Sequence, residues 1–269
     1  EAELTLGNLF RSRGEVDRAL RIHQAIDVSP DYSIEQKLLA KQQLAKDFLA
    51  AGFFDRAENY YILLLDEPDF AVNSLTQLMT IYQKTKEWKK AINVSEKLLQ
   101  ISPESDKTPL AHYYCEYAQA VKNDDQKAFL DALNKALFHL PSCSRASMLL
   151  GDFHLENKQF RLAADYYEAV LSQNVDYIGE VLDKIKHCYL ELNDLSGYEL
   201  FLIKANQAKQ NPNVDLALTQ LIDEKDGKIA AQSKLYQQLR QFPNMLTFHR
   251  FIYYQINEAE EGSGKESLI

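Results

Sequence analysis

Large apolar residues recur along this chain at three- and four-residue spacing, in stretches separated by short polar turns. That period puts them on one stripe of an α-helix, and nowhere does strict alternation suggest a strand. The spacing predicts helices over 2–13 and 15–27, 33–51 and 53–65, 70–84 and 87–100, and 107–122 and 124–139. It continues with 143–157 and 159–172, 176–193 and 195–208, 213–225 and 227–241, and a last helix over 244–258. With nine Gly and seven Pro in 269 residues, there are few breakers to interrupt such elements.

The predicted helices come in pairs with a fixed internal order. Leu6-Gly7 is followed by Phe10, Gly14 and Ala19, and closes at Pro30; Leu44-Ala45 is followed by Phe48, Gly52, Ala57 and Tyr61, and closes at Pro68. Leu78-Met79 with Tyr82 and Ala91, and Leu150-Gly151 with His154, Ala163 and Tyr167, repeat the order. Weaker copies start at Cys115-Glu116, Ile185-Lys186 and Leu218-Thr219. The second residue of each pair falls at 7, 45, 79, 116, 151, 186 and 219, a period close to 35. Small residues in that slot and in the second helix let paired helices approach to roughly 8–10 Å. The aromatic slot fills the gap between neighbours, and Gly14 and Gly52 end a first helix in the left-handed conformation. This order resembles the tetratricopeptide repeat. The expected fold is all-α: a right-handed superhelical solenoid of about seven tetratricopeptide-like hairpins plus a terminal helix over 1–258, with a polar tail at 259–269.

The net charge of −9 disfavours nucleic acid, whose phosphates call for a basic surface. Cys115, Cys143 and Cys188 are scattered and odd in number, so neither a disulfide framework nor a zinc site is expected, and a reducing compartment fits best. The longest apolar run, about Tyr60–Leu65, falls far short of the ~18 residues a membrane span needs. Glu1 opens directly into a helical pattern and the chain closes on EEGSGKESLI, so both ends read as cut edges of a longer protein. None of the six histidines forms a metal-binding pair. His187 and Cys188 are adjacent on a helix and diverge by about 100°, which is wrong for a nucleophile and its base. GSGK in the tail lacks the upstream Gly of a phosphate loop, the position being Ala259, and the Glu258–Glu261 tract reads as a solvated helix end. No catalytic set and no cofactor are expected.

A polypeptide partner is expected instead. In stacked hairpins the first helices line a concave groove, and their residues not used in packing face it. The candidate partner-binding residues are Asn8, Arg11, Lys46, Leu49, Thr80, Gln83, Lys84 and Asp152, basic in the early repeats and acidic in the fifth. The clamp that some tetratricopeptide proteins use for chaperone carboxylates is incomplete, with Leu4 where a Lys is needed before Asn8. Paired tyrosines, Tyr60-Tyr61, Tyr113-Tyr114, Tyr166-Tyr167 and Tyr253-Tyr254, read as inter-repeat packing, or as packing with one exposed binding residue per pair.

LTLGNLFRSRGEVDRALRIHQ (4–24), KQQLAKDFLAAGFFDRAENYY (41–61), QLMTIYQKTKEWKKAI (77–92) and NEAEEGSGKESL (257–268) carry a more specific likeness. Over essentially its whole length the chain resembles the bacterial lipopolysaccharide assembly protein B family, most weakly in repeats four and seven. The resemblance implies an N-terminal membrane anchor and a metal-carrying rubredoxin-like module outside this stretch, so no metal falls on the residues here. It implies a regulator of lipopolysaccharide synthesis at the cytoplasmic face of the inner membrane. Its implied partners are a membrane AAA+ protease and lipopolysaccharide synthesis and transport proteins, including the lipid A-committing deacetylase that the protease degrades. A generic peptide-binding co-chaperone is the alternative.

Overall fold

A computed structural model describes residues 2–241 and 247–253, and among them every regular element is helical. The chain divides into two compact units, Glu1–Leu140 and Pro141–Ile269.

The first unit holds four hairpins: α1 (Ala2–Ser12) with α2 (Val16–Val28), α3 (Ile34–Ala50) with α4 (Phe54–Leu63), α5 (Pro68–Thr85) with α6 (Trp88–Ile101), and α7 (Thr108–Val121) with α8 (Gln126–His139). Within this unit α2, α4 and α6 also pack on the first helices that follow them, α3, α5 and α7. The second unit repeats the plan with α9 (Ser144–Glu156) and α10 (Phe160–Gln173), α11 (Ile178–Glu191) and α12 (Leu195–Ala208), and α13 (Pro212–Asp226) and α14 (Lys228–Gln241). Residues 247–253 are also helical. These bounds follow the hydrophobic period closely. One local difference is a 3₁₀ turn, Val175–Tyr177, capped by the Asn174 side chain before α11 begins. The rest of the predicted 244–258 helix and the 259–269 tail lie outside the described residues.

The slots behave as their sizes require. A Cβ on Gly7 would sit 2.3 Å from the His23 ring, and one on Gly151 would sit 2.4 Å from the Tyr167 ring. Both rings are fully buried, so only hydrogen fits where these helices cross. Ala19, Ala45, Ala57, Ala91 and Ala163 are completely enclosed. The buried core of the second unit runs unbroken from Ala163 through Ile185 and Tyr198 to Leu221.

Five of the seven hairpins share one turn, which the residue types hide. Gly14 and Gly52 take φ near +79°, and Lys86, Lys158 and Asn193 take φ of 58°, 58° and 54° at the same place in repeats three, five and six. In each, the following amide reaches back to the carbonyl of the aromatic-slot residue: Glu15 to Phe10, Phe53 to Phe48, Glu87 to Tyr82, Gln159 to His154 and Asp194 to Tyr189, at 2.8–3.0 Å. This is a Schellman closure, which satisfies carbonyls left over at the helix end. Repeat four, the most diverged, turns without a left-handed residue and closes by Asp125 N–H to Val121 O.

Three of the four tyrosine pairs are packing groups, while Tyr253 is exposed and Tyr254 lies outside the described residues. Tyr61 and Tyr167 are fully enclosed while Tyr60 and Tyr166 are half-buried, stacking on Phe48 and His154. Tyr113 and Tyr114 are both buried, so the idea of one exposed tyrosine per pair fails there. The hydroxyls of Tyr82, Tyr114 and Tyr189 donate to Glu58, Glu96 and Glu168 on the preceding second helix, at 2.8, 2.5 and 2.6 Å. A recurrent tyrosine–glutamate tie therefore joins successive hairpins. Burial and the adjacent carboxylate both push these phenols well above their ordinary range, so they stay protonated donors.

Candidate interaction face

Within the first unit, α1, α3, α5 and α7 form a row joined by side-chain bonds. The Arg11 guanidinium on α1 donates to Asp47 (2.7 Å) and to both the backbone and side-chain oxygens of Gln43 on α3, and also to Asn8 (2.7 Å). Gln42 of α3 donates to Asn73 of α5, and Tyr113 of α7 donates to Gln83 of α5 at 3.2 Å. In the second unit, Lys184 of α11 meets Asp152 of α9 at 2.6 Å, and Lys186 of α11 meets Glu224 of α13.

The candidate residues are thereby sorted. Arg11 is tied up: Asp47 is completely buried, takes the arginine on one oxygen and the buried His23 ring on the other (2.5 Å), and so welds α1, α2 and α3 together. An arginine so engaged has no fork left for a partner, which is not legible in the sequence because Asp47 and His23 are far from it along the chain. Asn8 is held by Arg11. Asp152 lies in the second unit and accepts from Tyr167 and Lys184. Thr80 bonds its own helix at Thr76 O, and Gln83 is exposed beyond its bond to Tyr113. Lys84 is exposed, with its ammonium 5.9 Å from the Phe54 ring centre. Leu49 is half-buried on α3.

Lys46 stands apart. It is half-buried, and no carboxylate among the described residues pairs with it. Burial first, and then the neighbouring Arg11 charge, lower its pKa. A cation kept partly out of water beside another cation is a place where an incoming carboxylate gains most.

The groups that could have done chemistry are disposed otherwise. Burial pushes the Cys188 thiol up to about 11, so it holds its proton and is no nucleophile. His187 lies exposed against Phe160. His154 is half-buried, stacked on Tyr166 and bonded to Gln159. Among the described residues no three metal-ligating side chains converge, and no helix is long and apolar enough to cross a membrane. The Glu258–Glu261 tract and the GSGK stretch lie outside the described residues.

Stacked two-helix units, five of the seven closed by the same turn, with a laced row of first helices, define a tetratricopeptide-repeat protein. The sequence model of the tetratricopeptide repeat family matches residues 117–176, from the end of α7 through α8, α9 and α10. The chain belongs to the lipopolysaccharide assembly protein B family. It is 61% identical to the protein of that name from Haemophilus influenzae over all of its length and 68% of that protein, and 41% identical to the one from Escherichia coli K12 over all of its length and 69% of that protein. Among solved structures it is similar to a tetratricopeptide repeat protein from Parabacteroides merdae, 13% identical, with a TM-score of 0.43 over 95% of this chain and 98% of that one.

Proposed function

We propose that this chain is the partner-holding part of a non-enzymatic adaptor in lipopolysaccharide assembly, working at the cytoplasmic face of the inner membrane. It brings a membrane AAA+ protease together with the deacetylase that commits precursor to lipid A, and raises their effective concentration without chemistry of its own. The family supports the process and the repeat fold supports the mode. The observation that carries the binding reading is Lys46, a half-buried ammonium with no carboxylate of its own in a row of otherwise tied polar groups. Gln83, Lys84, Leu49 and Thr80 complete a face suited to an extended acidic polypeptide segment, while Arg11 and Asn8 hold its scaffold and Asp152 belongs to the second unit.

The test is Lys46→Glu combined with Lys84→Glu in the full-length protein, expressed in cells depleted of the native copy. The deacetylase half-life is expected to lengthen several-fold while the variant accumulates normally. An unchanged half-life at normal abundance would remove this face from the function. Arg11 is left alone in that experiment, because replacing it disturbs the fold.

A further inference from the structure

The ends of the second helices in the first unit carry a pattern that the packing does not use. The last turn of every one exposes a large apolar side chain: Val28 on α2, Ile62 and Leu63 on α4, Ile101 on α6 and Phe138 on α8, from 44% at Ile62 to 81% at Phe138. Ile34, in the first turn of α3, is 80% exposed at the same edge. A helix end turned to water is ordinarily polar, and in the second unit the last turns of α10, α12 and α14 expose no such residue. The feature is therefore confined to the first unit.

The segments that leave these ends, residues 29–37, 64–69 and 102–107, hold seven carboxylates and two lysines. None of the seven carboxylates has an ion-pair partner among the described residues, and all but the half-buried Glu67 are exposed. An apolar strip rimmed by unpaired negative charge selects its occupant. It repels an anionic lipid surface, and it repels a second copy of the same acidic edge.

We infer that this edge of the first unit, from Val28 to Phe138, is a second docking surface, and that it takes a cationic amphipathic helix of a partner protein. The apolar side of such a helix covers the exposed strip, and its lysines and arginines meet the carboxylates of the turns. This goes beyond the row of first helices around Lys46, and it gives an adaptor a separate place for a second protein.

The experiment uses the whole 269-residue chain and two designed 18-residue peptides that share one Leu/Ile face, one with a Lys/Arg polar face and the other with a Glu face. Binding is read by fluorescence anisotropy at 50 and 300 mM salt. The cationic peptide is expected to bind at least tenfold more tightly than the anionic one, and more weakly at the higher salt. Two independent variants, Ile62→Ser with Leu63→Ser, and Asp66→Asn with Glu67→Gln, are each expected to lose at least fivefold. Leu200→Ser with Ile203→Ser, exposed residues of the second unit, and Lys46→Gln are expected to change nothing; loss with Lys46→Gln alone would move the peptide to the first-helix row and overturn the edge while leaving the proposed function standing. Equal binding of both peptides to the Lys46→Gln chain, where the first-helix row no longer favours the anionic one, or retention by both edge variants, overturns the inference. So does concentration-dependent self-association that the edge variants abolish, or binding to phosphatidylglycerol vesicles that they abolish.

Discussion

Asp47 is the buried charge that holds the first three helices of the first unit together. It is fully buried, with Arg11 on one oxygen at 2.7 Å and His23 on the other at 2.5 Å, and it links three helices. Asp47→Ala leaves the enclosed His23 ring with an unmet nitrogen and removes the anion that neutralises Arg11. Breaking a buried charged pair from one side costs about 3–5 kcal/mol. Arg11 is 20% exposed and keeps Asn8 and Gln43, so water and those acceptors recover part of the loss, and the lower end, about 3 kcal/mol, is expected here. Because repeats are stabilised through their neighbours, the damage should be local. Hydrogen exchange is expected to show the amides of α1 and α2 losing protection by a factor on the order of one hundred, the equivalent of about 3 kcal/mol, with α9–α12 unchanged. Replacing the set together with apolar residues, Arg11→Met, His23→Leu and Asp47→Leu, should recover much of the stability, because no charge is then left buried. Protection of α1 and α2 within twofold of the parent in Asp47→Ala would refute the welding role.

Gly151→Ala forces a Cβ to within 2.4 Å of the enclosed Tyr167 ring and should cost about 1–3 kcal/mol in urea unfolding despite the better helix propensity of Ala. Lys158→Gly is expected to do the reverse, raising stability by roughly 1 kcal/mol in thermal melts, because the residue already sits at φ 58°. Asp215 is buried against Asn206 and Gln238, and burial raises its pKa above the ordinary carboxylate value. With the folded pKa above the unfolded value of about 3.9, folding carries no penalty below that pH and loses stability as pH rises through the folded pKa. Asp215→Asn should therefore gain relative to the parent as pH goes from 4 to 8 in urea titrations, and a parent–variant difference that does not change with pH would contradict the assignment. Cys143, half-buried, should react with a disulfide reagent at pH 8 before the enclosed Cys188, whose thiol is pushed up to about 11.

The helices and their pairing were legible because each rests on local periodicity and on small residues at fixed spacing. Gly7 and Gly151 announce a close crossing in the sequence, and the rings of His23 and Tyr167 fill the space they leave. The groove residues were legible only as positions on a first helix. Arg11 and Lys46 looked alike there, both basic and both on the expected open side, and what separates them is Asp47, which the fold brings to Arg11 and not to Lys46. The left-handed turn was visible at Gly14 and Gly52 but not at Lys86, Lys158 or Asn193, where the backbone conformation is imposed by the closure itself.

The chain by itself determines that two-helix units repeat and where each begins, because a 3.6-residue period and a recurring small residue are properties of neighbouring positions. Which charges are consumed in holding units together, and which apolar helix ends stay in water, depends on side chains 20 to 40 positions apart meeting in space. That is decided only when the hairpins stack.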